Sequence, residues 1–109
     1  MATLLGAFEQ SVLLAVHGLK GEAYGRSILS EVQRRLEREV SAGAVQATLG
    51  RLEGKGLVSS TLGEGGAIRA GRPRRYYRLE VAGRRALNDS RAAVENLWRG
   101  FSWPLKGHA

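Results

Sequence analysis

The sequence predicts a mainly α-helical fold with one β-hairpin, in the order α-α-α-β-β-α. Three amphipathic helical patterns come first, two strand-like runs around a glycine-rich stretch follow, and a long amphipathic helix comes last. The 109 residues suffice for one domain, because a chain of this size buries roughly 65% of its unfolded surface. This order is that of a winged helix-turn-helix with a two-stranded β-wing, here extended by a C-terminal dimerisation helix.

The first two helices are predicted over about residues 6–19 and 23–38. In the first, apolar residues recur at helical spacing from Phe8 to Leu19, and glycines end the run. In the second, Glu31 can pair with Arg35 one turn later. The apolar positions of the second helix are four residues apart: Tyr24, Ile28, Val32 and Leu36.

The third helix is predicted to follow Ser41, whose hydroxyl can accept a hydrogen bond from a backbone N–H of the first turn. Lys55 and Gly56 end it, since a cation suits the carbonyl end and glycine can turn left-handed. Its apolar stripe is Val45, Leu49 and Leu52. The second and third helices, joined by a short link, form a helix-turn-helix.

Two strands are predicted over residues 57–62 and 75–79. The first is rich in β-branched and small polar residues, and the second alternates so that Tyr77 and Leu79 share a face. The glycines and Pro73 between them permit a sharp reversal and exclude a helix, so this stretch is the tip of the wing. The last helix is predicted over residues 82–101.

The net charge of +7 is concentrated in the second half of the chain. Residues 1–64 contain seven Lys/Arg and seven acidic residues, whereas residues 65–109 contain ten Lys/Arg and three acidic residues. The charge alone is equally compatible with a solvated basic surface and with binding to any polyanion. Beside a helix-turn-helix, guanidinium groups that can donate two hydrogen bonds to one phosphate favour duplex DNA.

Polar side chains of the third helix are predicted to meet DNA from the face opposite its apolar stripe. Gln46 can bind adenine, Thr48 can touch a thymine methyl or a phosphate, and Arg51 can reach the backbone. Such a face alone describes most surface helices, and the neighbouring wing makes DNA binding the favoured interpretation. The predicted DNA-binding residues are Ser41, Gln46, Thr48, Arg51, Arg69, Arg72, Arg74, Arg75 and Tyr76.

The last helix has more apolar surface near its end than a small core can cover. Helix-turn-helix proteins usually bind two DNA half-sites related by a two-fold axis. We therefore expect a homodimer formed through this helix and the first helix. Trp98 is expected to anchor the interface, with lining an apolar effector cavity as the alternative. The predicted interface residues are Leu5, Phe8, Val12, Leu87, Val94, Leu97, Trp98 and Phe101.

Three segments are expected: a winged-helix DNA-binding domain over residues 1–80, the dimerisation helix over 81–101, and a disordered tail over 102–109. With no cysteine and two separated histidines, no catalytic set, metal site or cofactor is predicted. The longest apolar run, residues 12–16, is far too short to cross a membrane, and the N-terminus lacks a signal pattern. We therefore expect a cytoplasmic protein without a membrane partner.

Four linked segments resemble the PadR family of transcriptional regulators over about residues 4–101. They are LGAFEQSVLLAV at 5–16, EAYGRSI at 22–28, VSAGAVQATLGRLEGKGLVSS at 40–60 and GRPRRYYRLEVAGRRAL at 71–87. The single C-terminal helix is similar to the compact subgroup of that family. The resemblance implies a winged-helix homodimer that binds a palindromic operator, represses transcription and is often released by a small molecule.

The chain departs from the family pattern at Gln46, where members commonly carry tyrosine, and at Glu80, where they favour threonine. Trp98 falls where some multidrug-responsive relatives place an aromatic residue in the dimer cavity, which implies a small hydrophobic ligand. The leading hypothesis is therefore a sequence-specific repressor. The alternatives are a winged-helix scaffold for protein interactions and a protein that coats DNA without sequence preference.

Overall fold

The structure, a computed structural model, describes residues 4–63 and 73–107 and has the predicted order of elements. Its helices and strands are α1 (Ala7–Gly18), α2 (Gly25–Leu36), α3 (Ala42–Gly54), β1 (Val58–Leu62), β2 (Arg75–Leu79) and α4 (Val81–Leu97). The two strands form one antiparallel sheet. The mainly α fold with a β-hairpin is thus confirmed. None of the helices in the described ranges is long and apolar enough to cross a membrane.

The core lies where α1, α2 and α3 meet the sheet. Each helix contributes the apolar face that its sequence period predicts, and hydrophobic burial of these faces holds the elements together. The fully buried side chains include Val12, Leu13, Ile28, Val32, Val45, Leu49, Leu52 and Val58. The ion pair predicted between Glu31 and Arg35 is present at 2.8 Å on the exposed face of α2.

The ends of α3 follow the predicted capping chemistry. The Ser41 hydroxyl accepts a hydrogen bond from the Ala44 backbone N–H at 3.0 Å. Gly56 has a φ of 77°, the left-handed conformation that lets the chain leave the helix toward β1. These caps orient α3 relative to both the short link before it and the wing after it.

The wing is a hairpin whose two faces carry different side chains. The register pairs Ser60 with Tyr77 and Thr61 with Tyr76, so Tyr77 lies on the core face and Tyr76 on the other. Tyr77 is 9% exposed. Burial and the nearby Glu53 carboxylate raise the pKa of the Tyr77 phenol, although Arg75 opposes them, so Tyr77 stays neutral around pH 7.

The final helix contacts the rest of the fold through its first half. Gly83, Ala86 and Ser90 are buried, and the Ser90 hydroxyl accepts a hydrogen bond from the Leu5 backbone N–H at 2.9 Å. The helix ends at Leu97, not at residue 101 as predicted. Gly100 adopts a φ of 90° just beyond it, which a continuing helix cannot accommodate.

Candidate nucleic-acid interface

The exposed start of α3 lies beside the start of α2. Gln46 is exposed on α3, and a Cβ on Gly25 would come within 2.9 Å of its Nε2 atom, so Gly25 leaves the space that this side chain occupies. Gly25, Arg26 and Gln46 line one cleft between the two helices. An exposed amide at this position can reach the edge of a base in the major groove.

Thr48 does not belong to the exposed face of α3, which corrects the prediction for this residue. It is 2% exposed, because it lies three residues after Val45 and four before Leu52 and therefore shares their buried face. Its hydroxyl accepts a hydrogen bond from Arg51 Nη2 at 3.0 Å. Arg51 is exposed, so its guanidinium is fixed near the helix and still open to solvent on the side away from Thr48.

Neighbouring arginines at the base of the wing have different partners. Arg74 places its Cζ atom 4.1 Å from the ring centroid of Tyr24. Arg75 instead donates from Nη1 to the Ser60 hydroxyl at 3.0 Å, and that hydroxyl donates to the Glu53 carboxylate of α3 at 2.8 Å. The predicted basic cluster is therefore split, with Arg74 against an aromatic ring and Arg75 in a polar hydrogen-bond network. Arg69 and Arg72 lie outside the described residues.

Tyr24 and Arg26 are two residues of this surface that the sequence analysis missed as candidate DNA contacts. Periodicity assigns Tyr24 to the apolar face of α2, but the helix begins at Gly25 and Tyr24 precedes it in an extended conformation. The Ser27 hydroxyl accepts from the Tyr24 N–H at 3.0 Å. Ser27, three residues after Tyr24, is the signal that could have located this helix start, because a polar side chain at that position can accept a hydrogen bond from the N–H of the residue that caps the helix.

Tyr76 lies where Tyr24 meets the wing. The two backbones form an isolated antiparallel bridge, and the rings pack edge to face with centroids 5.7 Å apart. Tyr76 is half-buried as a result. The predicted contacts at Gln46, Arg74 and Tyr76 thus adjoin one another through the start of α2, and we name this surface, with Tyr24 and Arg26, the reading strip.

The predicted dimer residues fall into three groups by exposure. Leu5 and Val12 are 7% and 0% exposed within a single chain, which corrects their assignment, since a side chain already enclosed by its own core has no surface left for a partner. Phe8, Leu87 and Trp98 are half-buried. The remaining members keep large exposed apolar surface: Val94 at 46%, Leu97 at 75% and Phe101 at 67%.

A capped helix-turn-helix, a basic β-hairpin attached to it and an exposed amide at the start of its second helix define a winged-helix DNA-binding protein. Comparison with known proteins agrees with this class. Residues 13–89 match the model of the PadR-like family of transcriptional regulators. Because this match spans more than half of the chain, the protein belongs to that family, which is a family of DNA-binding regulators and not a class of enzymes.

Individual relatives are similar over most of the chain. Transcriptional regulator Rv3488 of Mycobacterium tuberculosis is 40% identical over 83 residues, covering 76% of this chain and 73% of the relative. A PadR-like transcription factor from Bacteroides fragilis superposes with a TM-score of 0.69 at 27% identity, over 84% of this chain and 82% of its own. A PadR family regulator from Eggerthella lenta gives a TM-score of 0.62 at 29% identity, over 82% and 75%.

Proposed function

We propose that this regulator represses transcription as a homodimer that binds a palindromic operator. The observation that carries the proposal is the reading strip, which joins the exposed amide of Gln46 to the guanidinium of Arg74 on one connected surface. Base contacts give sequence preference and phosphate contacts give affinity and register. A dimer held on a promoter in this way excludes the polymerase, which accounts for repression.

The exposed end of α4 supports the homodimer. Leu97 and Phe101 are largely exposed, and Trp103, which lines one cleft with Val94 and Phe101, is 80% exposed. Contiguous apolar surface of this kind marks an interaction site. A second copy of the chain is the occupant that two-fold operator symmetry requires, because each copy then presents one reading strip to one half-site.

The same region supports release by a small hydrophobic molecule. Trp98 lines a cleft of about 390 Å³ together with Val94, Phe101 and Trp103, with Gln10, Arg91 and Glu95 at its polar edge. Apolar walls with a few polar groups are typical of ligand sites. A ligand bound here would alter the packing of the two subunits and hence the spacing of their reading strips.

The decisive measurement is the affinity for DNA fragments selected from the source genome compared with random DNA at physiological salt. We expect nanomolar-range binding and at least ~10³-fold preference for the selected fragments. In a purified transcription assay, adding the protein should lower output from promoters that contain them. Equal affinity for both DNAs would instead support non-specific coating, and unchanged or increased transcription would contradict repression.

Gln46→Ala should relax the base preference while leaving general DNA binding nearly intact. A good bidentate contact contributes about 1–3 kcal/mol of discrimination, so preference at one base pair per half-site should fall roughly 10-fold or more. Competition between operators that differ at single base pairs measures this. Asn88→Ala removes a similar amide from the exposed surface of α4 and serves as the control. An unchanged base preference in Gln46→Ala would show that this residue does not read DNA.

A further inference from the structure

The base of the wing is joined to the helix-turn-helix at Tyr24. The Tyr77 backbone N–H donates to the Ala23 carbonyl at 2.8 Å. The next residue, Tyr24, forms the antiparallel backbone bridge with Tyr76. The segment before α2 therefore extends the sheet on the outer side of β2. These contacts fix the Tyr24 backbone relative to both the wing and α2.

The Tyr24 ring contacts both the Arg74 guanidinium and the Tyr76 ring. The guanidinium carbon of Arg74 lies 4.1 Å from the ring centroid, which is cation–π geometry. The Tyr76 ring approaches at an interplanar angle of 69°. A long arginine side chain loses conformational freedom when it is ordered, and the ring has already imposed that order before any DNA arrives.

Among the described residues, Arg74 contacts an aromatic ring, whereas its neighbours Arg75 and Arg78 contact a hydroxyl and a carboxylate. Arg78 lies 3.7 Å from the Glu80 carboxylate, and Arg75 is linked through the Ser60 hydroxyl to Glu53. Within residues 4–63 and 73–107, no carboxylate lies within ion-pair distance of Arg74. An aromatic face orients a guanidinium without neutralising it, so its N–H groups can still donate to a phosphate.

We infer that Tyr24 is a positioning residue for phosphate recognition, whose ring holds the Arg74 guanidinium on the reading strip for the DNA backbone. The inference rests on the proposed contact between Arg74 and DNA. Tyr24 does not touch the DNA in this scheme and acts only by orienting the Arg74 side chain. The contact is the ring face, so the phenolic hydroxyl is not needed. Phenylalanine should therefore replace Tyr24, whereas leucine, which keeps apolar bulk but has no π face, should not.

The test is a double-mutant cycle on operator binding over a range of salt concentrations. Because each subunit of the proposed dimer contributes one Arg74, Arg74→Ala should weaken operator binding about 10-fold per half-site and reduce the salt slope by about 1.8, which is about 0.9 for each of two phosphate contacts. Tyr24→Leu should lose a comparable part of both quantities, and Tyr24→Leu combined with Arg74→Ala should lose little more than Arg74→Ala alone. Tyr24→Phe should bind like the wild type with an unchanged salt slope.

The outcomes separate failure of the inference from failure of the proposal beneath it. Binding by Arg74→Ala equal to wild type would overturn the phosphate contact, and the positioning role with it. A weakened Arg74→Ala with an unaffected Tyr24→Leu, or losses that multiply in the double variant, would overturn the positioning role alone. Thermal unfolding of each variant shows whether it is folded, and the non-additivity of Tyr24→Leu with Arg74→Ala, which a general loss of packing at this junction would not produce, identifies the positioning role.

Discussion

Replacing Gly83 by alanine is expected to destabilise the protein by at least ~2 kcal/mol, although alanine in a helix normally gains ~1 kcal/mol over glycine. A Cβ at this position would overlap the Leu57 backbone carbonyl oxygen and lie 2.7 Å from Leu79 Cδ1. Backbone cannot rotate away as a flexible side chain can. Since the Leu57 carbonyl also accepts from the Glu80 N–H at 3.0 Å, relieving the clash would disturb the start of α4.

The matched control is Gly50→Ala in the middle of α3. A Cβ on Gly50 meets nothing within 4 Å, so this variant should gain stability from helix propensity alone. Thermal or urea unfolding of both variants gives the comparison, and the melting temperature of Gly83→Ala should fall by on the order of 10 °C. Equal stability of Gly83→Ala and wild type would show that α4 does not pack against Leu57 this closely.

Replacing Leu97 by glutamate is expected to separate the proposed dimer while leaving each chain folded. Leu97 is 75% exposed in the single chain, so the new carboxylate is solvated there. In a two-fold interface it would be buried twice, at ~3 kcal/mol for each unpaired charge. The dimer dissociation constant should therefore rise by roughly 10⁴-fold, and operator affinity should fall because one half-site is then bound at a time.

Ala92→Glu is the control for the Leu97 substitution. Ala92 is exposed on the same helix but outside the apolar group of Val94, Leu97 and Phe101, so the same added charge should leave the dimer intact. Sedimentation equilibrium measures the mass of both variants, and unfolding curves show that both are folded. A Leu97→Glu variant that remains fully dimeric would place the interface elsewhere, and a wild-type monomer would refute the dimer itself.

The parts of the fold that follow from local chemistry could be predicted from the sequence. The period of apolar residues predicted α1, α2 and α3, and Ser41 and Gly56 marked the ends of α3 because capping depends on a few adjacent residues. Helical periodicity could also have placed Thr48 correctly, since its spacing from Val45 and Leu52 puts it on the buried face of α3. Its polar side chain led to the wrong assignment.

The sequence by itself determined the order of the elements, the excess of arginine at the wing and the membership of the family. Only the tertiary structure decided that Arg74 packs on Tyr24 while Arg75 points to Ser60, and that Val12 is enclosed by its own chain. Periodicity and capping depend on residues only a few positions apart. The contact between Arg74 and Tyr24, by contrast, joins residues fifty positions apart in the sequence. Their geometry depends on how the helices and the sheet pack, which no local pattern encodes.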